Sequence, residues 1–395
     1  SFSRKTTSGG FALPPNIVFI QNIFFGGGKN YITFLLVNAT VFALTLMGVF
    51  SFWVPGIKSC QDSGFGTCNE AQANLSTLLY VFAALELVVN AFFGYNYCLM
   101  RRQSRLLEWV IGYDSSFSAK DLTSKLNKIG WISIIMFLIT TVMWLSVAIS
   151  FLVVVDPAGW AFIPGNIGFC FSYCTSFYLC AIWMWENWLM HKVAQCMTNK
   201  HVTRKAILGC GGVNAGNKIY EVLEKMHQVS SVWNVNHTAR TLLAILNATC
   251  HLLVAMYMLG TQDQLERSWI RFVRTMIMSL MIVFAMGLYL FVFLTVLCPG
   301  YVTDELFSNI QIKLADIADA DHPQDILTAQ CRQENGRTIE NRATFLMMRV
   351  EILHGKRGMH YAGLPMTVPI ALTLGSFISY LIFDIVYLQD MHTSF

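Results

Sequence analysis

Seven stretches of this chain are long and apolar enough to cross a lipid bilayer, and no other feature constrains the fold as much. They lie at about 31–54, 75–99, 131–155, 167–189, 241–259, 270–297 and 366–388. About 20 mostly apolar residues suffice to span the hydrocarbon layer. Backbone polar groups in lipid must be satisfied within the segment, so each window is read as a helix. A β-barrel would need short alternating strands, and the sequence has none. Composition agrees: 55% of the 395 residues are hydrophobic, only 13% are charged, and the mean hydropathy is +0.50. Soluble domains carry about a quarter charged residues. The expected fold class is an all-α, multi-pass membrane protein.

The net charge of +4 matters less than its placement. Arg4, Lys5 and Lys29 precede the first window. Arg101, Arg102, Arg105, Lys120, Lys125 and Lys128 lie between the second and third. Lys192, Lys200, Arg204, Lys205, Lys218, Lys225 and Arg240 lie between the fourth and fifth. The alternate loops are poor in lysine and arginine, with Lys58 in the first and Arg267 in the third. The positive-inside rule then places the N-terminus in the cytoplasm and, after seven crossings, the C-terminus outside. The first outer loop, "GIKSCQDSGFGTCNEAQANLS", is consistent with this side. It holds Cys60 and Cys68 at a disulfide-compatible spacing and a glycosylation sequon at Asn74. A second sequon, at Asn236, falls on the inner side, where it would go unused. The other cysteines lie mostly in apolar helices and are expected to pack as small hydrophobes. No metal or cofactor is expected.

The start of the chain has only a short apolar stretch, so no cleavable signal peptide is expected, and the missing initiator Met points to trimming or truncation. "PPNIVFIQNIFF" is expected to lie in the membrane interface or re-enter it rather than span. The inner loops are long and helical in pattern. Ile219, Val222, Leu223 and Met226 recur at helical spacing, and the run from Asp304 toward Leu353 alternates apolar ridges with charge and breaks at Pro323. "GCGGVNAG" between such segments reads as a linker, since it lacks the lysine and preceding strand of a phosphate loop. No internal repeat and no inverted half-symmetry is present.

Several classes are set aside by missing motifs. The inward N-terminus and the absence of Asp/Glu-Arg-Tyr and Asn-Pro-x-x-Tyr argue against a G-protein-coupled receptor. No Walker loop, H-E-x-x-H or G-x-S-x-G supports an enzyme. The potassium-channel filter string and an arginine-repeat voltage sensor are likewise missing.

The layout that remains resembles the insect-type chemoreceptor superfamily of odorant and gustatory receptors. It has an inward N-terminus, seven helices, short outer loops and long inner helical extensions. The last helix carries the residue-level likeness. That family closes with Thr-Tyr, five apolar residues and Gln-Phe, after a Gly-containing lead-in. Here "FLMMRVEILHGKRGMHYAGLPMTVPIALTLGSFISYLIFDIVY" has Gly363 in the lead-in, Ser379-Tyr380 for the Thr-Tyr pair and Tyr387 for the terminal Phe. Val386 stands where the Gln is expected, and Asp384 interrupts the apolar five. "YEVLEKMHQVSSVWNVNHTARTLLAIL" is loosely similar to the family's run into the fifth helix. The chain looks most like a divergent gustatory-receptor-like protein.

The resemblance implies a tetrameric, ligand-gated, non-selective cation channel in the plasma membrane. Its partners would be lipid, like subunits, a small-molecule ligand and permeant cations, with no nucleic acid. The expected organisation is an N-terminal segment at 1–30, six transmembrane helices with cytoplasmic extensions at 31–298, anchor helices at 299–362 and a pore-lining helix with a short outer tail at 363–395. Phe383, Tyr387 and Asp390 follow at helical spacing on one face. By the resemblance Phe383 and Tyr387 are the constriction, whereas aromatic residues at this spacing ordinarily pack between helices; Gln389 and Asp390 would draw cations at the outer mouth. Asp384, about 100° around the helix from Phe383, falls at the edge of that face. A carboxylate at mid-bilayer costs about 2.5–3.5 kcal/mol, so it should face water or a polar partner.

A ligand pocket would draw on the outer halves of the second, third, fourth and sixth helices. Candidates are Tyr80, Glu86, Trp144, Ser150, Tyr173, Tyr178 and Met278. Each taken alone is a residue type that ordinarily packs in a core. Glu86 stands out as an acid within an apolar helix, and His251 reads as a hydrogen-bonded core histidine. Two other classes remain open: a seven-helix receptor that does not conduct, such as a photoreceptor-like relative, and a transporter or scramblase with a polar path inside one subunit.

Overall fold

The computed structural model describes residues 12–25, 31–63, 70–96, 99–113, 117–154, 162–203, 215–233, 305–316, 346–351, 360–361 and 364–365. It also describes isolated helical positions at 243, 246, 276, 283, 287, 373, 376 and 380. The long elements are helices: α1 (Pro15–Phe25), α2 (Tyr31–Ser63), α3 (Glu70–Asn96), α4 (Leu99–Tyr113), α5 (Ala119–Val154) and α6 (Phe162–His201). Shorter helices follow at 215–233 (α7), 305–316 (α8) and 346–351 (α9). Among the described residues the departure from all-α character is a two-residue antiparallel ladder, His360–Tyr361 with Leu364–Pro365, in which Tyr361 faces Leu364. The apolar pattern of this lead-in gives no sign of it.

Local chemistry sets the helix starts. Pro15 occupies the first helical position of α1, where its missing N–H would have had no intrahelical partner, and Val18 N donates to Pro14 O at 3.0 Å. In α5 the Ser118 carbonyl accepts from Asp121 N and Leu122 N at 3.1 and 3.2 Å. Asp121 in that first turn matches the positive end of the helix dipole. α2 and α3 run past the predicted windows, to Ser63 and back to Glu70. Helical hydrogen bonds are local, so the backbone continues after the apolar side chains stop.

The chain divides into two compact units. The first comprises Ser1–Ile182, Ala239–Leu294 and Thr373–Phe395; the second comprises Trp183–Thr238 and Thr295–Leu372. In the first, α1, at 11 residues too short to span, packs against α2, α3, α4 and α5. Ile17 and Gln21 are fully buried, with Ile20 and Phe24 nearly so. The Phe24 ring meets Phe171 edge-on at 4.5 Å. The Asn16 amide donates to Asn127 O at 2.8 Å, a contact that a Cβ at Gly130 would displace, since it would stand 2.6 Å from Asn16 Nδ2.

Helices α5 and α6 contrast. Along α5, Trp131, Ile132, Ile135, Leu138, Ile139, Val142 and Leu145 are all exposed, a continuous apolar stripe suited to lipid. From Phe169 to Ser176, α6 is buried on every side. Segments Ala119–Met143 and Pro164–His201 are each long and apolar enough to cross a membrane, and Leu35–Phe50 and Tyr80–Phe92 are shorter apolar helices. Four of the seven predicted windows thus fall on described helices. Those at 241–259, 270–297 and 366–388 lie outside the described residues except for single helical positions.

The second unit packs the predicted inner helices. Ile219, Val222, Leu223 and Met226 of α7 are all at most 2% exposed, as their spacing requires. Leu306, Phe307, Ile310 and Leu314 of α8 and Leu346 and Val350 of α9 supply further buried faces. Trp183 and Trp233 lie 5.6 Å apart, and the Trp233 indole donates to Glu186 Oε2 at 2.8 Å. The Arg349 guanidinium stands 3.7 Å over the Tyr220 ring.

Candidate ligand site

Four of the predicted pocket residues, Tyr80 and Glu86 on α3 and Tyr173 and Tyr178 on α6, are buried in the first unit. Beside them α2 makes a close crossing with α6. Thr45 and Gly48 of α2 face Gly165 and Gly168 of α6, and a Cβ at Gly165 would stand only 2.6 Å from Gly48 Cα. Small residues let the backbones meet, which is how membrane helices gain packing energy without a hydrophobic drive. Thr45 returns its hydroxyl to Val41 O at 2.7 Å, so the contact buries no orphaned donor. Tyr80 reaches across from α3 and donates its hydroxyl to Asn166 Oδ1 beside this crossing.

Below it, rings and polar groups form layers along α6. The Tyr80 ring meets Phe169 edge-on at 5.8 Å, and Phe169 meets Tyr173 at 4.5 Å. One turn further, Glu86 accepts hydrogen bonds from Ser176 Oγ and from Ser172 Oγ, the latter at 3.2 Å. Asn90, four residues after Glu86 on the same face, donates to Ser176 Oγ at 2.7 Å and Thr175 Oγ1 at 3.3 Å. Thr175 in turn donates to Ser172 O at 2.8 Å. A carboxylate buried to 3% exposure is tolerable only with such partners, because desolvation of an unmatched charge is far costlier than of a hydrogen-bonded one. At the far end, Gln21 Nε2 of α1 lies 2.6 Å from the Tyr178 hydroxyl and 2.7 Å from Gln103 Oε1 of α4. From Asn166 to Tyr178 the polar positions cover about 18 Å of helix at 1.5 Å per residue.

The structure therefore brings Tyr80, Glu86 and Tyr173 to one α3–α6 seam and places Tyr178 at its other end, against α1. Trp144 and Ser150 are helical positions of α5 whose side chains lie outside the described residues, as does Met278. Cys60 and Asn74 are helical positions of α2 and α3, while Cys68 is outside the described residues. Phe383, Asp384, Val386, Tyr387, Gln389 and Asp390 are also outside them. Sequence reading missed Asn90, Asn166, Ser172, Thr175, Ser176, Gln21 and Gln103. The spacing of Asn90 from Glu86 was a usable signal, and the hydroxyls of α6 were visible as polar breaks in an apolar run. Among the described residues no three His, Cys, Asp or Glu side chains group as a metal site would require.

No family model and no curated protein matches the sequence. Among solved structures, the insect olfactory receptor OR5 from Machilis hrabei, in complex with eugenol, matches with a TM-score of 0.51. The match covers 95% of this chain and 94% of the receptor at 12% identity. A likeness that spans both chains nearly end to end at so low an identity is one of backbone architecture, and it agrees with the resemblance read from the last helix. The chain shares its overall backbone fold with that olfactory receptor.

Proposed function

We propose that this chain is a chemoreceptor subunit of the gustatory-receptor-like type, four of which surround one pore to form a ligand-gated, non-selective cation channel of the plasma membrane. The observation that carries the reading is the near-complete fold match to an olfactory receptor. The buried aromatic and polar seam between α3 and α6 supports it, since ligand sites are apolar and aromatic with a few convergent polar groups. In this reading a small organic ligand stacks among Tyr80, Phe169 and Tyr173 and exchanges hydrogen bonds with the Glu86–Ser172–Ser176 group. The pore is lined by the last helix. Phe383 and Tyr387 narrow it, Val386 and Asp384 flank the constriction, and Gln389 and Asp390 stand at the outer mouth. The N-terminus is cytoplasmic, and the helices of the second unit form the anchor that joins subunits.

Light scattering on the detergent-purified chain tests the assembly. A particle of four times the 44.6 kDa protein mass is expected. A monomer would instead favour the transporter or scramblase reading, in which the path runs inside one subunit.

A further inference from the structure

We propose that the N-terminal turns of α5 form a docking stripe for anionic phospholipid headgroups, built from Lys125, Lys128 and Trp131. One face of α5 is exposed along most of its described length, and its chemistry changes abruptly. Asp121, Ser124, Lys125 and Lys128 are exposed over its first turns. From Trp131 the same face is apolar: Trp131 at 55% exposure is followed by Ile132, Ile135, Leu138, Ile139 and Val142. The opposite face, with Leu122, Leu126, Gly130 and Ser133, is buried in the bundle throughout. The change from ammonium to hydrocarbon takes place between Lys128 and Trp131, about 4.5 Å of helix.

An apolar stripe of this length facing outward belongs in lipid, so the layer of headgroups lies at its lower edge. The two lysines sit at that edge, three residues apart on one face, with an indole directly above them. Lysine stems lie along apolar surface while the ammonium reaches the polar layer, and tryptophan favours the same interface. Residues 119–130 carry Lys120, Lys125 and Lys128 against the single acid Asp121, four residues before Lys125. The excess is positive, as an anionic headgroup requires. On α4, which contacts α5, exposed Arg105 and Glu108 oppose one another in sign and Arg102 is half-buried, so the larger exposed positive excess lies on α5. The inference rests on α5 lying across a bilayer and not on conduction.

The full chain is reconstituted into nanodiscs of mixed phosphatidylcholine and phosphatidylserine, and the lipids retained after extraction are counted by native mass spectrometry. Wild type retains phosphatidylserine in preference to phosphatidylcholine. The Lys125→Gln, Lys128→Gln variant loses that preference by about five-fold per lysine, and the Lys125→Arg, Lys128→Arg variant keeps it. Raising salt, which shortens the screening length from about 10 Å at 0.1 M to about 3 Å at 1 M, weakens the preference of wild type without any mutation. Equal retention of the two lipids by wild type, an unchanged preference in the glutamine variant, or displacement by soluble glycerophosphoserine would overturn the proposal. Failure of the chain to enter the bilayer would instead count against the membrane reading of α5.

Discussion

Replacing Gly165 with alanine should loosen the α2–α6 crossing beside Tyr80. The added Cβ would stand 2.6 Å from Gly48 Cα, 3.0 Å from Tyr80 Cε1 and 3.1 Å from Gly48 N. Carbon atoms prefer about 3.5–4.0 Å, so the helices must part by about 1 Å. The obstruction is backbone, so no rotamer change on α2 can relieve it. Overpacking of this kind costs about 1–3 kcal/mol. Parting the helices also strains the Tyr80–Asn166 hydrogen bond, worth about 1 kcal/mol. Against this, alanine is favoured over glycine within a helix by up to about 1 kcal/mol. The net expectation is a loss of about 1–3 kcal/mol, read as a lower thermal midpoint for the detergent-solubilised protein. Gly112→Ala on α4 is the internal control. A Cβ there meets nothing within 4 Å, so only the helix-propensity gain applies and the midpoint should hold or rise. Equal midpoints for the two variants would refute the close-crossing argument.

Two further variants probe buried hydrogen bonds. Tyr80→Phe removes the donor to Asn166 Oδ1 and should cost about 1–3 kcal/mol; in a double-mutant cycle with Asn166→Leu, part of that loss should disappear, and strict additivity would count against the bond. In the second unit, Trp233→Phe removes the indole N–H from Glu186 Oε2 and should lower stability by about 1–3 kcal/mol, because a buried acceptor loses its donor. A Glu186→Gln background should shrink that effect, which thermal unfolding of the four variants measures.

How much of this was visible beforehand depended on whether the signal was local. The α7 face at Ile219, Val222, Leu223 and Met226 follows from helical period alone, and burial bears it out. Glu86 is conspicuous because a charge in an apolar helix must find partners. Those partners, Ser172 and Ser176, lie 86 and 90 residues away, a separation that no periodicity encodes. The same holds for α1. Its 11 residues show that it cannot span, but the burial of Gln21 against Gln103 and Tyr178 depends on three helices meeting. The close crossing at Gly48 and Gly165 was illegible for a related reason. Glycines are common in membrane helices, and only the approach of a second backbone shows which of them is required.

The central claim is that this chain makes a cation channel whose last helix lines the pore, and recording from the purified chain alone in planar bilayers tests it most directly. The account predicts discrete currents carried by cations, a higher resting current after Tyr387→Ala, and a reduced preference for cations over anions after Asp390→Lys. Absence of any conductance, or currents whose ion preference and resting level neither substitution alters, would contradict it.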